Sequence, residues 1–263
     1  MIRLIATDMD GTLLNSQKEF DDEFFDVLSK VIDQNIYFVV ASGNQFHHLY
    51  NQFKPFSDSL YFISENGSYI TKGKKEMASF LMKKEDVKIV NGILQKYPEL
   101  MTVMGGKEKS YIYEQYRCYQ EEIERHYDEY AFVKGLDDIH EGIFKFSIHD
   151  PKHHVERYVD LIKEELPSYL HIMTSGNEWM DIQHEMIHKG FGMHFLIDSL
   201  GVSRDECAAF GDQMNDYELL KSVKYSYAMA NAVLPIKEIA YETIQSNDEA
   251  GVTHKIKEII GGS

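Results

Sequence analysis

Apolar residues follow one pattern near the two ends of the chain and another in its middle. Near the ends, short unbroken apolar runs alternate with segments whose apolar side chains recur every three or four residues. Each run is long enough for one buried strand, and the segments between the runs predict amphipathic helices. The predicted buried strands are Leu4–Thr7, Ile36–Ala41, Leu60–Ile63, Cys207–Phe210 and Tyr225–Met229. Buried strands that alternate with helices are typical of an α/β fold with a parallel sheet.

The middle of the chain, from about Lys83 to about His184, has shorter strand-like runs that alternate more with polar residues. Ile143–Ile148 is the clearest of these, and its alternation predicts a strand with one buried and one exposed face. Helical spacing recurs in the same region, with one amphipathic helix between Val155 and Leu166. We therefore expect residues 83–184 to form a separate α+β domain, inserted into a core domain of residues 1–82 and 185–263.

A tight turn is predicted where Leu60–Ile63 ends. Asn66-Gly67 follows closely, and this dipeptide between two strand-like runs favours a β-hairpin. We expect Ser68–Ile70 to be the returning strand.

Composition narrows the class of partner. The chain has 263 residues and a formal net charge of −16 at pH 7, which disfavours binding to nucleic acid or to an anionic membrane. A phosphate ligand remains compatible with this charge, because a bound cation and a lysine can reverse its sign inside a pocket. No apolar run approaches the length of a transmembrane helix, and no secretory leader is evident. With two cysteines, too few for a disulfide framework, these features favour a soluble cytoplasmic protein.

The most informative chemistry follows the first predicted strand, in the segment Asp8-Met9-Asp10-Gly11-Thr12. In an extended segment, Asp8 and Asp10 point to the same side. Two carboxylates in one small space repel each other unless a cation joins them, and hard oxygen ligands suit Mg²⁺. The spacing predicts a metal site at which one aspartate can act as a nucleophile.

Three further segments lie at predicted strand ends or at the start of a helix: Ser42-Gly43-Asn44, Lys189-Gly190 and the run from Gly211 to Asp216. Together with the first segment they supply what phosphoryl transfer requires. Carboxylates can attack and hold metal, hydroxyl and backbone N–H groups can bind oxygens, and a lysine can neutralise charge.

These four segments, in this order, resemble the motifs of haloacid dehalogenase (HAD) superfamily phosphatases of the Cof type, which carry a large α/β (type C2B) cap. The resemblance covers nearly the whole chain. It implies a Rossmann-like core with an inserted cap, and Mg²⁺-dependent hydrolysis of small phosphomonoesters, commonly sugar phosphates, through an aspartyl-phosphate. It also implies a small phosphorylated metabolite as partner, and we expect a monomer or a weak homo-oligomer.

The resemblance assigns roles to individual residues. Asp8 matches the nucleophile and Asp10 the general acid/base, and metal ligation falls to Asp8, the backbone carbonyl of Asp10, and Asp212. The residues that match phosphate-binding positions are Met9, Thr12, Ser42, Gly43, Lys189 and Asn215. Asp216 matches a residue that supports the metal ligands, and Asn44 occupies a position where many relatives have arginine. That difference mildly favours a sugar phosphate.

The sequence leaves two alternatives open. A phosphomutase would share the nucleophile and the cap but return the phosphoryl group to a sugar, and a non-catalytic sensor would only bind a phosphate ligand. Retention of an acid/base at Asp10 argues against the sensor. Several histidine pairs, such as His184 and His188, could suggest a zinc site, but the pattern fixes no acidic third ligand and we expect surface or hinge histidines.

Overall fold

The computed structural model describes residues 1–261, so the last two residues of the predicted core segment 185–263 lie outside this range. The strands are, in chain order, β1 Leu4–Thr7, β2 Tyr37–Ala41, β3 Tyr61–Ser64, β4 Tyr69–Lys72, β5 Lys75–Ser79, β6 Met101–Gly106, β7 Ser110–Tyr113, β8 Tyr130–Val133, β9 Ile143–His149, β10 Leu170–Ser175, β11 Trp179–His184, β12 Cys207–Gly211, β13 Tyr225–Ala228 and β14 Glu242–Thr243. The α-helices are α1 Phe24–Asp33, α2 Phe46–Gln52, α3 Lys84–Leu94, α4 Gln120–His126, α5 Glu156–Lys163, α6 Lys189–Leu200, α7 Tyr217–Lys221, α8 Leu234–Ile239 and α9 Gly251–Gly261.

The larger sheet has eight strands in the order β14-β13-β12-β1-β2-β3-β4-β5. The strands from β14 to β3 are parallel, and β4 and β5 continue the sheet in antiparallel fashion. Strand β1 pairs with β2 on one side and with β12 on the other, and all four of its residues are buried. This arrangement confirms the predicted α/β fold and places the carboxyl ends of β1, β2 and β12 side by side.

Two helices show how the local sequence shapes this sheet. In α1, Phe24, Val27, Leu28 and Val31 are buried, which is the three-to-four-residue spacing of one helix face. Helix α6 begins at Lys189, just after the chain returns to the larger sheet, and the ring of His188 caps it by accepting a hydrogen bond from a backbone N–H. The start of α6 is thereby fixed close to the strand ends.

The smaller sheet has six strands in the order β10-β11-β9-β6-β7-β8, all drawn from residues 101–184. Its pairs are antiparallel apart from β7 and β8, which are parallel. Val90 and Leu94 of α3 and Ile162 of α5 belong to the apolar cluster that packs on it. The six-stranded sheet therefore has a core of its own.

Sequence patterning missed some strands of both sheets. Met101–Gly106 ends in two glycines, and glycine weakens the strand signal because it has no side chain to pack. Lys75–Ser79 is a polar edge strand, and Tyr130–Val133 lies in a charged stretch.

The prediction that Ile143–Ile148 is half exposed is wrong, because every residue of β9 is buried. Phe144 belongs to the apolar core of the eight-stranded sheet and stacks on Tyr69 at a centroid distance of 5.3 Å. The polar side chains Lys145 and Ser147 line a cleft shared with that sheet. The polar face of β9 is therefore covered by the other sheet and not by solvent.

The predicted hairpin is present, since β3 and β4 pair antiparallel. Its turn is a short 3₁₀ segment, Glu65–Gly67, in which Glu65 and Asn66 both have positive φ, at 52° and 54°. A non-glycine residue in this region is uncommon, so two in succession indicate that the surroundings impose the conformation.

Candidate active site

The ends of β1 and β12 bring Asp8 and Asp212 together. Thr7 is in register with Phe210, and the backbone N–H of Asp8 continues the ladder by donating to the Phe210 carbonyl at 3.1 Å. Both aspartates are buried and directly follow their strands. Two residues 204 positions apart in the sequence thus become neighbours through strand order alone.

Lys189 lies between two of the carboxylates. Its side chain is fully buried, and Nζ donates to Asp8 Oδ1 and to Asp216 Oδ1, at 2.6 Å in each case. Burial lowers the pKa of Lys189, but the charges of Asp216 and Asp8 outweigh it and raise the pKa above its usual range. The lysine is therefore charged, contrary to the solvated position that an isolated lysine usually takes.

Asp216 is fixed from the other side by the chain that follows β12. Its Oδ2 accepts from the backbone N–H groups of Asp212 and Gln213, at 3.0 and 3.2 Å. With Oδ1 on Lys189, both oxygens of Asp216 already have partners. These contacts hold Asp216 beside Lys189 and Asp212.

Thr12 and Gly11 shape the position of Asp212. Thr12 Oγ1 donates to Asp212 Oδ1 at 3.0 Å. A Cβ at Gly11 would lie 2.5 Å from Asp212 Oδ2, and Gly11 has a φ of +75°, so this turn needs glycine for both space and conformation. The main chain after β1 can therefore approach Asp212 closely.

The carboxylates of Asp8, Asp212 and Asp216 form a cluster whose oxygens lie within 4.8 Å of one another. Burial, and next the charge of Asp216, raises the pKa of Asp8 well above its ordinary value, although Lys189 acts in the opposite direction. The same two causes raise the pKa of Asp212 to about 7. Crowded, buried carboxylates of this kind are stabilised by a cation, and an all-oxygen donor set suits a hard divalent metal. The residues present could therefore hold one.

Asp10 lies apart from this cluster. Its carboxylate accepts from Lys18 Nζ at 2.6 Å and from Asn44 Nδ2 at 3.0 Å. Burial raises the pKa of Asp10, but the charge and hydrogen bond of Lys18, together with the amide of Asn44, lower it below the ordinary value. The side chain of Asn44 thus positions Asp10, and Lys18 is a neighbour that sequence motifs did not reveal.

The remaining predicted phosphate-binding residues surround the same strand ends. Ser42 Oγ accepts from the backbone N–H of Asn44 at 3.1 Å, in the turn that follows β2. Asn215 lines the cleft, and its buried Oδ1 has no protein partner. The Met9 side chain is buried in the core, so the backbone of Met9 is the part that can face a ligand.

A cleft of about 730 Å³ opens above these residues, between the two sheets. From the eight-stranded sheet it is lined by the predicted site residues Asp8, Asp10, Ser42, Gly43, Asn44, Asp212 and Asn215. From the six-stranded side it is lined by Glu122, Arg125, His126, Tyr127, Lys145, Ser147, Asn177, Glu178, Trp179 and Asp181, among others. The cleft therefore joins the crowded carboxylates to a second, polar and aromatic wall.

Comparison with known families shows which family the chain belongs to. The family model of haloacid dehalogenase-like hydrolases matches residues 5–256, which includes all four predicted motifs. The chain belongs to this family. It is an enzyme, a phosphatase of the HAD type.

Relatives match over their whole length. One is the 5-amino-6-(5-phospho-D-ribitylamino)uracil phosphatase YbjI of Escherichia coli K12, 29% identical over 98% of this chain and 96% of that protein. A solved Streptococcus mutans UA159 protein is 31% identical, with a TM-score of 0.89 over 99% of this chain and 100% of that one. A HAD subclass IIB sugar phosphatase, 17% identical, shares the fold, with a TM-score of 0.83 and coverage of 98% of each chain.

The second wall of this HAD-type cleft contains groups that motif reading did not identify. Trp179 lies against the rings of His149 and His126, at centroid distances of 4.6 and 5.1 Å. Burial lowers the pKa of both histidines, so their neutral forms are favoured near pH 7. The pairing of β9 with β11 brings His149 opposite Trp179, which no local pattern predicts.

The histidine pairs that could have suggested zinc do not assemble into a site within residues 1–261. The two groups of three candidate ligands in this part of the chain are the aspartate cluster and Glu122, His149 and Glu178. Both carboxylates of the second group already have protein partners, with Glu122 on Arg125 and His126, and Glu178 on His153. None of the helices in residues 1–261 is both long and apolar enough to cross a membrane.

Proposed function

We propose that this protein hydrolyses small phosphomonoesters, with sugar phosphates as the favoured class, by a Mg²⁺-dependent reaction through an aspartyl-phosphate. One observation carries the proposal: the charged Lys189 lies between Asp8 and Asp216, and Asp8 lines a cleft together with Asp212 and Ser42. The closeness of the carboxylate proposed as nucleophile, a charge-neutralising lysine and further carboxylates supports phosphoryl transfer, which requires such groups.

Asp8, Asp212 and the backbone carbonyl of Asp10 would hold Mg²⁺, with Asp216 supporting them. When bound, the ion would polarise the phosphoryl group and screen its negative charge from the carboxylates. The crowding of the aspartate cluster and its all-oxygen donors support this choice of metal.

The two first-motif aspartates divide the chemistry. Asp8 attacks phosphorus, and Lys189 orients its carboxylate through the 2.6 Å contact. Asp10 donates a proton to the leaving oxygen in the first step. In the second step it accepts a proton from the water that hydrolyses the aspartyl-phosphate. Its hydrogen bonds to Lys18 and Asn44 hold the carboxylate beside the nucleophile's segment, and Lys18 is exposed enough to move when substrate enters. Ser42, the backbone of Gly43 and Asn215 receive the phosphate oxygens.

We propose that residues 83–184 form a cap that closes over the cleft and selects the leaving group, with residues 1–82 and 185–263 as the core domain. The contiguous six-stranded sheet with its own apolar cluster supports this division. Closure would exclude bulk water from the aspartyl-phosphate until hydrolysis. If Trp179→Ala left the ranking of substrates unchanged, the cap would not be the selecting element.

A polar leaving group of moderate size suits the cleft. Its second wall combines carboxylates, amides and an indole ring, which together recognise hydroxyl groups and the apolar faces of sugars or small heterocycles. The names of the relatives agree with such substrates, since one acts on a phosphorylated ribitylaminouracil and another is a sugar phosphatase. We propose a cytoplasmic location, supported by the free thiols of Cys118 and Cys207.

The proposal is tested by a panel of phosphorylated sugars, nucleotides and cofactors, with Mg²⁺ present or absent and released phosphate as the readout. Free phosphate identifies a phosphatase, whereas an isomeric sugar phosphate would identify a mutase. A stable phosphoprotein that does not turn over would identify a sensor.

Rapid-quench trapping tests the division of labour between the aspartates. With a nitrophenyl phosphate, whose leaving group needs little acid assistance, Asp10→Asn should accumulate a hydroxylamine-labile phosphoenzyme because its second step lacks a base. Asp8→Asn should accumulate none. Label in Asp8→Asn at the wild-type level would move the nucleophile elsewhere.

A further inference from the structure

Lys145 is a buried cation for which the proposed hydrolysis has no use. It lies on β9 of the six-stranded sheet and is 3% exposed. Its Nζ donates to the backbone carbonyl of Gly43 at 2.7 Å and to Asp181 Oδ2 at 2.8 Å, and lies 3.5 Å from Glu65 Oε2. Since an ammonium has three donors, these three partners use its full capacity.

Asp181 holds Lys145 in place. Asp181 Oδ1 accepts from Ser147 of the same sheet at 2.6 Å, and Oδ2 accepts from Asn66 of the eight-stranded sheet's hairpin at 2.6 Å. The ammonium therefore has little freedom to turn away from Gly43. Burial lowers the pKa of Lys145, but Asp181 and Glu65 outweigh it and raise the pKa, so Lys145 is charged.

Lys145 contacts the phosphate-binding turn at one peptide group, the one that joins Gly43 to Asn44. The Gly43 carbonyl and the Asn44 N–H belong to the same peptide unit, and this N–H donates to Ser42 Oγ at 3.1 Å. A charged donor on the carbonyl polarises the peptide and strengthens the N–H as a donor. Because the Ser42 oxygen accepts there, its own proton is directed toward another acceptor, such as a phosphate oxygen.

The turn is held on its other side by the hairpin of the eight-stranded sheet. The backbone N–H of Asn66 donates to the Ser42 carbonyl at 3.1 Å, and that of Glu65 donates to the Asn44 carbonyl at 3.2 Å. A Cβ at Gly43 would lie 2.9 Å from Asn66 Oδ1, so the turn and the hairpin are in close contact. Lys145 supplies the contact that comes from the six-stranded sheet.

We propose that Lys145 is a positioning residue that fixes the Ser42–Gly43 turn in its phosphate-binding geometry, and that it does so only while the two sheets are apposed. The proposal rests on the proposed function for the identity of the ligand. It couples phosphate affinity to closure, because separating the sheets removes the charged donor from the Gly43 carbonyl. Lys145 acts through Ser42 and Gly43 and does not itself contact phosphate.

The test is the affinity of Lys145→Met for inorganic phosphate in the presence of Mg²⁺, measured by calorimetry and as competitive inhibition of p-nitrophenyl phosphate hydrolysis. We expect the inhibition constant and KM to rise by about tenfold, the size of one lost charge-assisted contact, while kcat changes much less. Lys145→Arg keeps a charged donor and should recover most of the affinity.

Lys107→Met is the matched control. Lys107 also carries a charge across to the eight-stranded sheet, where it pairs with Glu76, but it does not contact the phosphate-binding turn. Its variant should bind phosphate like the wild type. An equal loss in both variants would mean that any cross-sheet ion pair has this effect, and the specific role of Lys145 would be refuted.

Lys145→Met leaves Asp181 buried beside an apolar side chain, which destabilises the folded variant. A second comparison therefore separates an effect on phosphate binding from an effect on folding. The double variant Lys145→Met/Asp181→Asn removes both charges and is compared with Asp181→Asn alone, which retains Lys145. The double variant should bind phosphate several-fold more weakly than the single one. Equal affinities would overturn the proposal.

Two other results would also overturn it. A folded Lys145→Met variant with unchanged phosphate affinity but a lower melting temperature would reduce Lys145 to a structural residue. Unchanged phosphate affinity with loss of activity on larger substrates would make it a leaving-group contact. If the wild type hydrolysed no phosphomonoester, yet Lys145→Met still weakened phosphate binding in calorimetry, the proposed function would fail and the positioning role would stand.

Discussion

Two buried lysines are each set among carboxylates, and of the two Lys145 lines the cleft itself. Lys189 contacts Asp8 and Asp216 at the strand ends of the eight-stranded sheet. Lys145 contacts Asp181 and the Gly43 carbonyl, with Glu65 at a longer distance, where the two sheets meet. Both ammonium groups are almost inaccessible to solvent, so each cluster must balance its charge internally.

The balance of charge differs between the Lys189 cluster and the Lys145 cluster. Around Lys189 three carboxylates face one ammonium, and two of these, Asp8 and Asp212, have raised pKa values because burial and a neighbouring carboxylate disfavour their charge. Around Lys145, burial raises the pKa of Glu65 to about 7, which leaves Asp181 as the main counter-charge. The first cluster lacks positive charge, as an ion-binding site should, whereas the second is close to neutral by itself.

Metal removal should give the largest difference between the clusters. A chelator in excess should abolish turnover, because the aspartate cluster then lacks its cation, and added Mg²⁺ should restore it. The cooperative unfolding transition should persist, since the Lys145 cluster needs no ion. Full activity in excess chelator would mean that the aspartate cluster needs no cation, and the proposed difference between the two clusters would fail.

Lys189→Met should lower kcat/KM by roughly a hundredfold or more, since it removes a charge-assisted contact to the nucleophile and leaves buried carboxylates unpaired. Thermal unfolding would report the accompanying loss of stability. Lys224→Met is the control, because Lys224 forms an exposed pair with Asp205. Activity of Lys189→Met within a fewfold of wild type would assign Lys189 a structural role only.

Glu65→Gln should change the pH dependence of stability. The folded-state pKa of about 7 lies above the ordinary value of 4.5, so the folded protein binds this proton more tightly than the unfolded chain. The wild type should therefore lose stability as pH rises from about 4.5 through 7; because Asp8 and Asp212 also have raised pKa values, the variant should lose stability too, but less than the wild type by up to roughly 3 kcal/mol. Urea unfolding at pH 5, 6, 7 and 8 measures the difference, and parallel profiles would contradict it.

Thr12→Val should have the smallest effect. It removes the 3.0 Å hydrogen bond to Asp212 while keeping the shape of the side chain. A hydrogen bond from a neutral hydroxyl to a carboxylate contributes about 1–2 kcal/mol. We expect the Mg²⁺ concentration for half-maximal activity to rise severalfold. Thr71→Val is the control, because the buried Thr71 hydroxyl has no protein partner; equal effects would exclude a specific contribution of Thr12.

The aspartate cluster could be predicted from the sequence in large part because Asp8 and Asp212 directly follow strands that are buried on both faces. Such strands leave unbroken apolar runs, and parallel strands bring their carboxyl ends to one edge. The pattern of apolar runs therefore predicts both aspartates at one edge of the sheet, whereas their being neighbours depends on the pairing of β1 with β12. Lys189 needed the family resemblance, since one lysine at the start of a helix has no distinctive pattern.

The Lys145 cluster could not be predicted in the same way. Lys145 and Gly43 are 102 positions apart and lie in different sheets, so their contact depends on how the sheets pack. The alternating pattern of β9 indicated an exposed polar face. A polar side chain that faces a cleft between two sheets gives the same sequence pattern as one that faces bulk water. Local periodicity reports polarity and not the partner that satisfies it.

The interrupted layout of the larger sheet also has a consequence for synthesis on the ribosome. Strand β1 emerges well before its neighbour β12, which begins at Cys207, after the whole six-stranded sheet. At typical elongation rates of about 5–20 residues per second, this delay is roughly 10–40 s. During that time the nascent chain exposes an apolar strand edge, which is a site for chaperones or for mispairing. The aspartate cluster is completed only when Asp212 and Asp216 leave the exit tunnel, so catalytic competence arises only after the whole six-stranded sheet has been synthesised.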